Sequence, residues 1–95
     1  MNIKISDLAA AWYEQEMDLS SGDYVRFYVR YGGHSSIQQG FSLGLSNDPP
    51  VDLAIKTDKN GIIYYIEEKD IWYFENYNLS IEYNEKKNEP EFIFN

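Results

Sequence analysis

The chain has 95 residues, 43% hydrophobic and 17% aromatic, with sixteen acidic side chains against eight basic ones for a net charge of −8. That length supports one modest core, so a single domain over residues 1–95 is expected, and an acidic protein is a poor partner for nucleic acid or an anionic membrane surface. The absence of cysteine excludes disulfides, thiolate nucleophiles and thiolate metal sites, and no stretch is apolar enough for a signal core or a membrane span, so a cytoplasmic location is expected.

Ile3 and Ile5 around Lys4 read as a short strand. Ser6 then stands as N-cap before residues 7–17, rich in helix formers, with Asp7 suited to the positive end of the helix dipole. Leu8, Ala11 and Trp12 fall at helical spacing, which predicts docking by that stripe. Residues 20–23, Ser-Ser-Gly-Asp, read as a turn.

Residues 24–30 alternate: Val25, Phe27 and Val29 on one face, Tyr24, Arg26, Tyr28 and Arg30 on the other. Period two over this length predicts a half-buried strand. Phe41, Leu43 and Leu45 alternate with Ser42, Gly44 and Ser46 as a second strand, and Phe27 and Phe41 are expected in the core. Between them residues 31–40 are polar and glycine-rich and hold the only histidine. This connection, with Gly32, Gly33, His34, Ser35 and Ser36, is the candidate ligand or partner loop, because loops on a rigid scaffold commonly carry function.

Residues 46–50 end in Pro49-Pro50 and form a stiff loop. A strand over 51–57 follows, with Val51, Leu53 and Ile55 alternating. Asn60-Gly61 predicts a tight hairpin into residues 62–66, apolar on both faces and hence central in a sheet. Glu67, Glu68 and Asp70 open a short helix through Phe74, their carboxylates complementing its dipole. Leu79, Ile81 and Tyr83 mark a further strand, residues 85–90 a charged turn, and residues 91–94 a last short strand. The order β-α-β-β-β-β-α-β-β implies a mainly β protein with two helices, its two small, mostly antiparallel sheets packed as a sandwich or flattened barrel.

Catalytic motifs are missing. His34 adjoins Ser35 and Ser36, but a working triad needs a base oriented by a third group, and no nucleotide or metalloprotease signature is present. The chain is not expected to be an enzyme. Arg26 and Arg30 are candidate surface contacts, about 13 Å apart along one strand face and too distant to clamp one small anion. Cross-strand pairing with the surplus carboxylates is their expected role. A lone His34 is a poor metal site, since structural metals take about four ligands and catalytic ones about three.

Val29-Arg30-Tyr31-Gly32-Gly33-His34-Ser35-Ser36, followed by an alternating strand, resembles the V-R-x-x-G-C-S-G loop of the HesB/IscA-like A-type iron–sulfur carriers. The likeness extends from Ile3 through the helix, the central strands and the segment Gly61 to Phe74, and fades beyond Asn76. It implies a β-rich HesB-like fold with two helices, a link to iron–sulfur cluster biosynthesis and its assembly proteins, and self-association, here as a candidate homodimer. The family ligates through a loop cysteine and a C-x-C pair near the C-terminus. Here His34 stands in the cysteine's place, Ser36 in the following glycine's, and the tail reads Asn84-Glu85-Lys86-Lys87-Asn88-Glu89. Clusters are held by soft thiolates, so the chain resembles a cysteine-less branch, and an intact iron–sulfur cluster is not expected. One expectation is weak handling of iron or another divalent metal through His34, with carboxylates or water completing the site. The alternative is a HesB-like scaffold that works as a protein-interaction module without metal.

Overall fold

The computed structural model describes residues Met1–Asn95. In chain order it contains β1 (Ile3–Ile5), α1 (Asp7–Glu16), β2 (Tyr24–His34), β3 (Gln39–Ser46), β4 (Leu53–Lys59), β5 (Ile62–Glu67), a short 3-10 helix (Glu68–Phe74), β6 (Leu79–Asn84) and β7 (Glu89–Phe94). The element order matches the one read from the sequence, with the second helix in the tighter 3-10 form.

The strands build a three-stranded sheet ordered β1-β6-β7 and a four-stranded sheet ordered β3-β2-β5-β4. The hairpins β2–β3, β4–β5 and β6–β7 are antiparallel, as short connections require. The remaining joints are parallel: β1 lies beside the β6–β7 hairpin with Ile3 opposite Leu79, and the two hairpins of the other sheet meet with Val25 opposite Tyr64. Both sheets are therefore mixed, more so than expected. A turn sets strand sense only inside its own hairpin, whereas these joints bring together segments far apart in sequence. Neither sheet closes into a barrel.

Phe27 shows how the layers meet. It is fully buried, as its place on the apolar face of β2 predicts, and its ring meets Tyr13 of α1 at 6.4 Å, Tyr64 of β5 at 6.3 Å and Phe92 of β7 at 5.7 Å. Helix and both sheets thus share one core, completed by residues such as Ile62, Ile66, Leu79 and Ile81. β5 has a neighbour on each side, β2 and β4, and Ile62, Tyr64, Tyr65 and Ile66 are all buried.

Ser6 caps α1 as expected, its hydroxyl accepting from the amide of Ala9 at 3.1 Å. The docking face differs from the expected stripe. Leu8 and Ala11 are exposed and Trp12 half-buried, while Ala9, Ala10 and Tyr13 are buried. Apolar residues occupy every position from Leu8 to Tyr13, so spacing alone leaves the face open. Packing selects the face on which small alanines let the helix approach and the Tyr13 ring reaches Phe27 and Tyr64.

The Asn60-Gly61 hairpin is present, with φ of 58° and 78° at its central residues, the signs a type I′ turn demands. β4, however, begins at Leu53, and Val51 is 95% exposed. The Glu67 carboxylate explains this shift. It accepts the amides of Val51 at 2.8 Å and Asp52 at 2.7 Å, holding both outside the ladder. β7 begins at Glu89, earlier than expected, and takes Pro90 into the strand opposite Tyr83. Its place at the edge of the sheet leaves proline's missing donor without cost.

Candidate functional site

The segment expected to be a ten-residue loop is mostly strand. β2 continues through Gly32, Gly33 and His34, β3 starts at Gln39, and only residues 35–38 form the connection. Tyr31 faces Phe41 and His34 faces Gln39, so β2 carries one more residue than its partner over that span. Such a bulge needs unusual backbone angles. Gly32 and Gly33 supply them, with φ of 112° and 65°. Ser42 seals the bulge from β3, its hydroxyl donating to Gly32 O at 3.0 Å.

The connection is tied down on the other side by the 3-10 helix. Tyr73 Oη donates to Ser35 Oγ at 2.6 Å, and Ser35 Oγ accepts the Gln38 amide at 3.2 Å. Gln38 Nε2 donates to Tyr73 O at 3.2 Å and to Glu75 Oε2 at 3.3 Å. His34, Ser35 and Ser36 thereby form one wall of a shallow cleft whose apolar side is Leu43, Phe92 and Phe94. Gly32 and Gly33 shape the wall without lining it.

His34 is exposed at this rim, and its cleft neighbours are hydroxyls and hydrocarbon. Nowhere in the chain do three His, Cys, Asp or Glu side chains come together as a metal-binding group. The segment standing where a C-x-C pair is expected is the β6–β7 turn, where Asn84 Oδ1 accepts the amides of Lys86 at 3.0 Å and Lys87 at 3.1 Å. This donor set does not fit an iron–sulfur cluster, which requires several thiolates.

The two arginines part company. Arg26 Nη2 donates to Asp70 Oδ2 at 2.9 Å, with the side chains only 17% and 8% exposed. Its guanidinium also lies 5.6 Å from the centre of the Tyr28 ring. Arg30 is exposed and donates from Nε to Ser42 Oγ at 3.1 Å. The expected cross-strand carboxylates are thus replaced by a helix residue in one case and a hydroxyl in the other. Asp70 and Glu67 do more than complement a helix dipole: one neutralises Arg26, the other holds the Pro50 loop. The Val51 amide is the main cause that lowers the Glu67 pKa below the usual carboxylate range; burial works against it and the Asp52 amide adds to it.

A second feature escaped the sequence reading. Tyr31, Phe41 and Trp72 form a chain of edge-to-face rings, with centroids 5.8 Å apart for the first pair and 5.2 Å for the second. Tyr31 is 90% and Trp72 50% exposed. The signal was there: Tyr31 continues the Val25-Phe27-Val29 face by one more step of two.

The model of the iron-sulphur cluster biosynthesis family matches residues 1–95. The chain belongs to that family. It is a cysteine-less member of it, with the mainly β, two-helix HesB-like architecture described above. Among curated relatives, a protein of Bacillus subtilis named pyruvate dehydrogenase inhibitor is 49% identical over 94 residues, covering 99% of each chain. An uncharacterized protein of Staphylococcus saprophyticus is 42% identical over 88 residues, 90% of each chain. Another, of Staphylococcus haemolyticus, is 39% identical over 85 residues, 86% of each chain. The family is named for cluster biosynthesis rather than for a catalytic activity. No helix is long and apolar enough to cross a membrane.

Proposed function

We propose that this iron–sulphur biosynthesis scaffold is a protein-interaction module that binds pyruvate dehydrogenase and lowers its activity, without itself catalysing a reaction or carrying a cluster. The observation that carries this reading is similarity along the whole chain to the Bacillus subtilis pyruvate dehydrogenase inhibitor, at 49% identity. The donor chemistry points the same way. Without thiolates the family's cluster site has no ligands of the required softness, and His34 has hydroxyls and hydrocarbon beside it in the cleft. What remains of the scaffold is a rigid surface with aromatic groups on it, suited to another protein.

The test is an activity assay of pyruvate dehydrogenase from the same organism with the purified chain added. Activity should fall with dose and saturate near stoichiometric addition. Unchanged activity at a large excess would remove the reading. Weak metal handling through His34 rests only on its place in the loop. Calorimetric titration with ferrous iron and with zinc on wild type and His34→Ala tests it: identical isotherms remove the imidazole from any metal role, and binding present in wild type but lost in His34→Ala supports one. Sedimentation measurements decide whether the chain forms the homodimer expected of its relatives' scaffold.

A further inference from the structure

We infer that the Tyr31-Phe41-Trp72 platform is the surface that grips the partner protein, and that the partner presents an apolar hollow bordered by positive charge. This rests on the reading of the chain as a pyruvate dehydrogenase inhibitor, and it names the part of the molecule that would act.

The platform exists because the four-stranded sheet outruns its cover. Along one face of β2, Val25 and Phe27 are fully buried, Val29 is half-buried and Tyr31 is 90% exposed. The same face of β3 carries Leu43 and Phe41, in register with Val29 and Tyr31. Burial therefore fades along β2 while its face stays apolar as far as Tyr31. An unneeded extension of this kind would be expected to turn polar, since exposed aromatic surface invites aggregation. Here three aromatics from three elements converge on it.

Convergence also makes the platform stiff. The bulge at Gly32 and Gly33 is locked by Ser42, and the adjoining turn is bonded to the 3-10 helix through Tyr73 and Gln38. Phe41 is held between the other two rings. Tyrosine and tryptophan on a pre-ordered support are the side chains that dominate protein–protein binding energies, because they bury large areas with few torsions to freeze.

Charge selects the occupant. Each copy of the chain carries a net charge of −8, so a second copy is repelled and a basic surface is attracted. Glu75, whose amide donates to Trp72 O at 3.2 Å, carries an exposed carboxylate tethered by Gln38 at 3.3 Å just beyond the helix that bears Trp72. A partner with positive charge around an apolar hollow satisfies both the rings and the rim.

The experiment measures inhibition of pyruvate dehydrogenase, and binding to it by interferometry, for wild type, Tyr31→Ala, Trp72→Ala and the control Val51→Ala, which removes an apolar side chain as exposed as Tyr31 from elsewhere on the surface. Tyr31 is exposed enough that Tyr31→Ala should keep the wild-type unfolding midpoint. Trp72→Ala removes a half-buried ring packed on Phe41 and Tyr73, so it should lower the midpoint but still show a cooperative unfolding transition, which the assay confirms before binding is compared. Trp72→Ala should weaken binding on the order of 30-fold or more, Tyr31→Ala somewhat less, and Val51→Ala hardly at all. The association rate of wild type should fall as salt rises. Wild-type inhibition with undiminished inhibition by both folded platform variants would overturn the platform while leaving the proposed function standing. Absence of inhibition by wild type would overturn the function itself. If the variants instead convert a wild-type dimer to monomer and inhibit normally, the occupant is a second copy and the inference is wrong.

Discussion

Arg26 and Asp70 are joined at 2.9 Å across 44 positions of sequence, a strand residue held by a residue of the 3-10 helix. The pair fastens that helix, and with it Trp72 and Tyr73, to the centre of the four-stranded sheet. Both side chains are largely buried, so loss of one leaves the other charge without its partner in a poorly solvated place. Asp70→Ala should cost roughly 3–5 kcal/mol of folding free energy, whereas Glu68→Ala, two residues away and exposed, should cost almost nothing. Urea unfolding of the two variants checks this. Equal midpoints would mean that the helix stays in place without the ion pair.

The Asn60-Gly61 turn offers a sharper backbone test. Gly61 has φ of 78°, and a Cβ at this position would collide with Ser21. Gly61→Val should therefore destabilise the protein by on the order of 1–3 kcal/mol. Adding Ser21→Gly should recover only the steric share, since the left-handed backbone strain persists. Complete recovery in the double variant would show that contact, not conformation, is what glycine serves here.

Phe27→Ala should remove a ring shared by helix and both sheets and cost roughly 3–5 kcal/mol. Phe41→Ala should cost distinctly less, because Phe41 is half-buried and its ring neighbours Tyr31 and Trp72 face solvent. Denaturant midpoints decide the order. Similar losses would mean that the platform behaves as core.

Stability should fall in acid partly through Glu67. Its folded-state pKa lies below the value it would have in the unfolded chain, mainly through the Val51 amide. The unfolded chain thus takes up the proton first, so the stabilisation is complete above the ordinary carboxylate pKa and disappears as pH falls through the depressed one. Glu67→Gln should flatten the acid limb of a stability–pH curve. An unaltered limb would show that other carboxylates account for it.

At high pH the opposite sign applies to Tyr64, whose pKa burial pushes up to about 12. Its stabilisation is present below the ordinary tyrosine pKa and lost as pH rises toward the elevated one. Burial also raises Tyr13 and Tyr65, so ultraviolet titration should show late phenolate formation that Tyr64→Phe reduces by one tyrosine without abolishing it. A titration unchanged by that substitution would place the late step elsewhere.

Much of this was legible locally. Alternation along residues 24–30, the Ser6 cap and the Asn60-Gly61 turn are interactions among near neighbours, and composition alone determines that no thiolate can bind a cluster. The likeness of residues 29–36 to the family loop likewise needed only the sequence. Tertiary structure decided the rest. Whether hairpins join in parallel, which face of an all-apolar helix turn is buried, and which of Arg26 and Arg30 finds a carboxylate depend on contacts between distant segments. The candidate loop is the clearest case: glycines, histidine and serines announce a connection, but Ser42 and Tyr73 arrive from other elements to make most of it strand and bulge. Tyr31 keeps the alternation of its neighbours, yet only the reach of the covering sheet and helix determines that Phe27 is core and Tyr31 is surface.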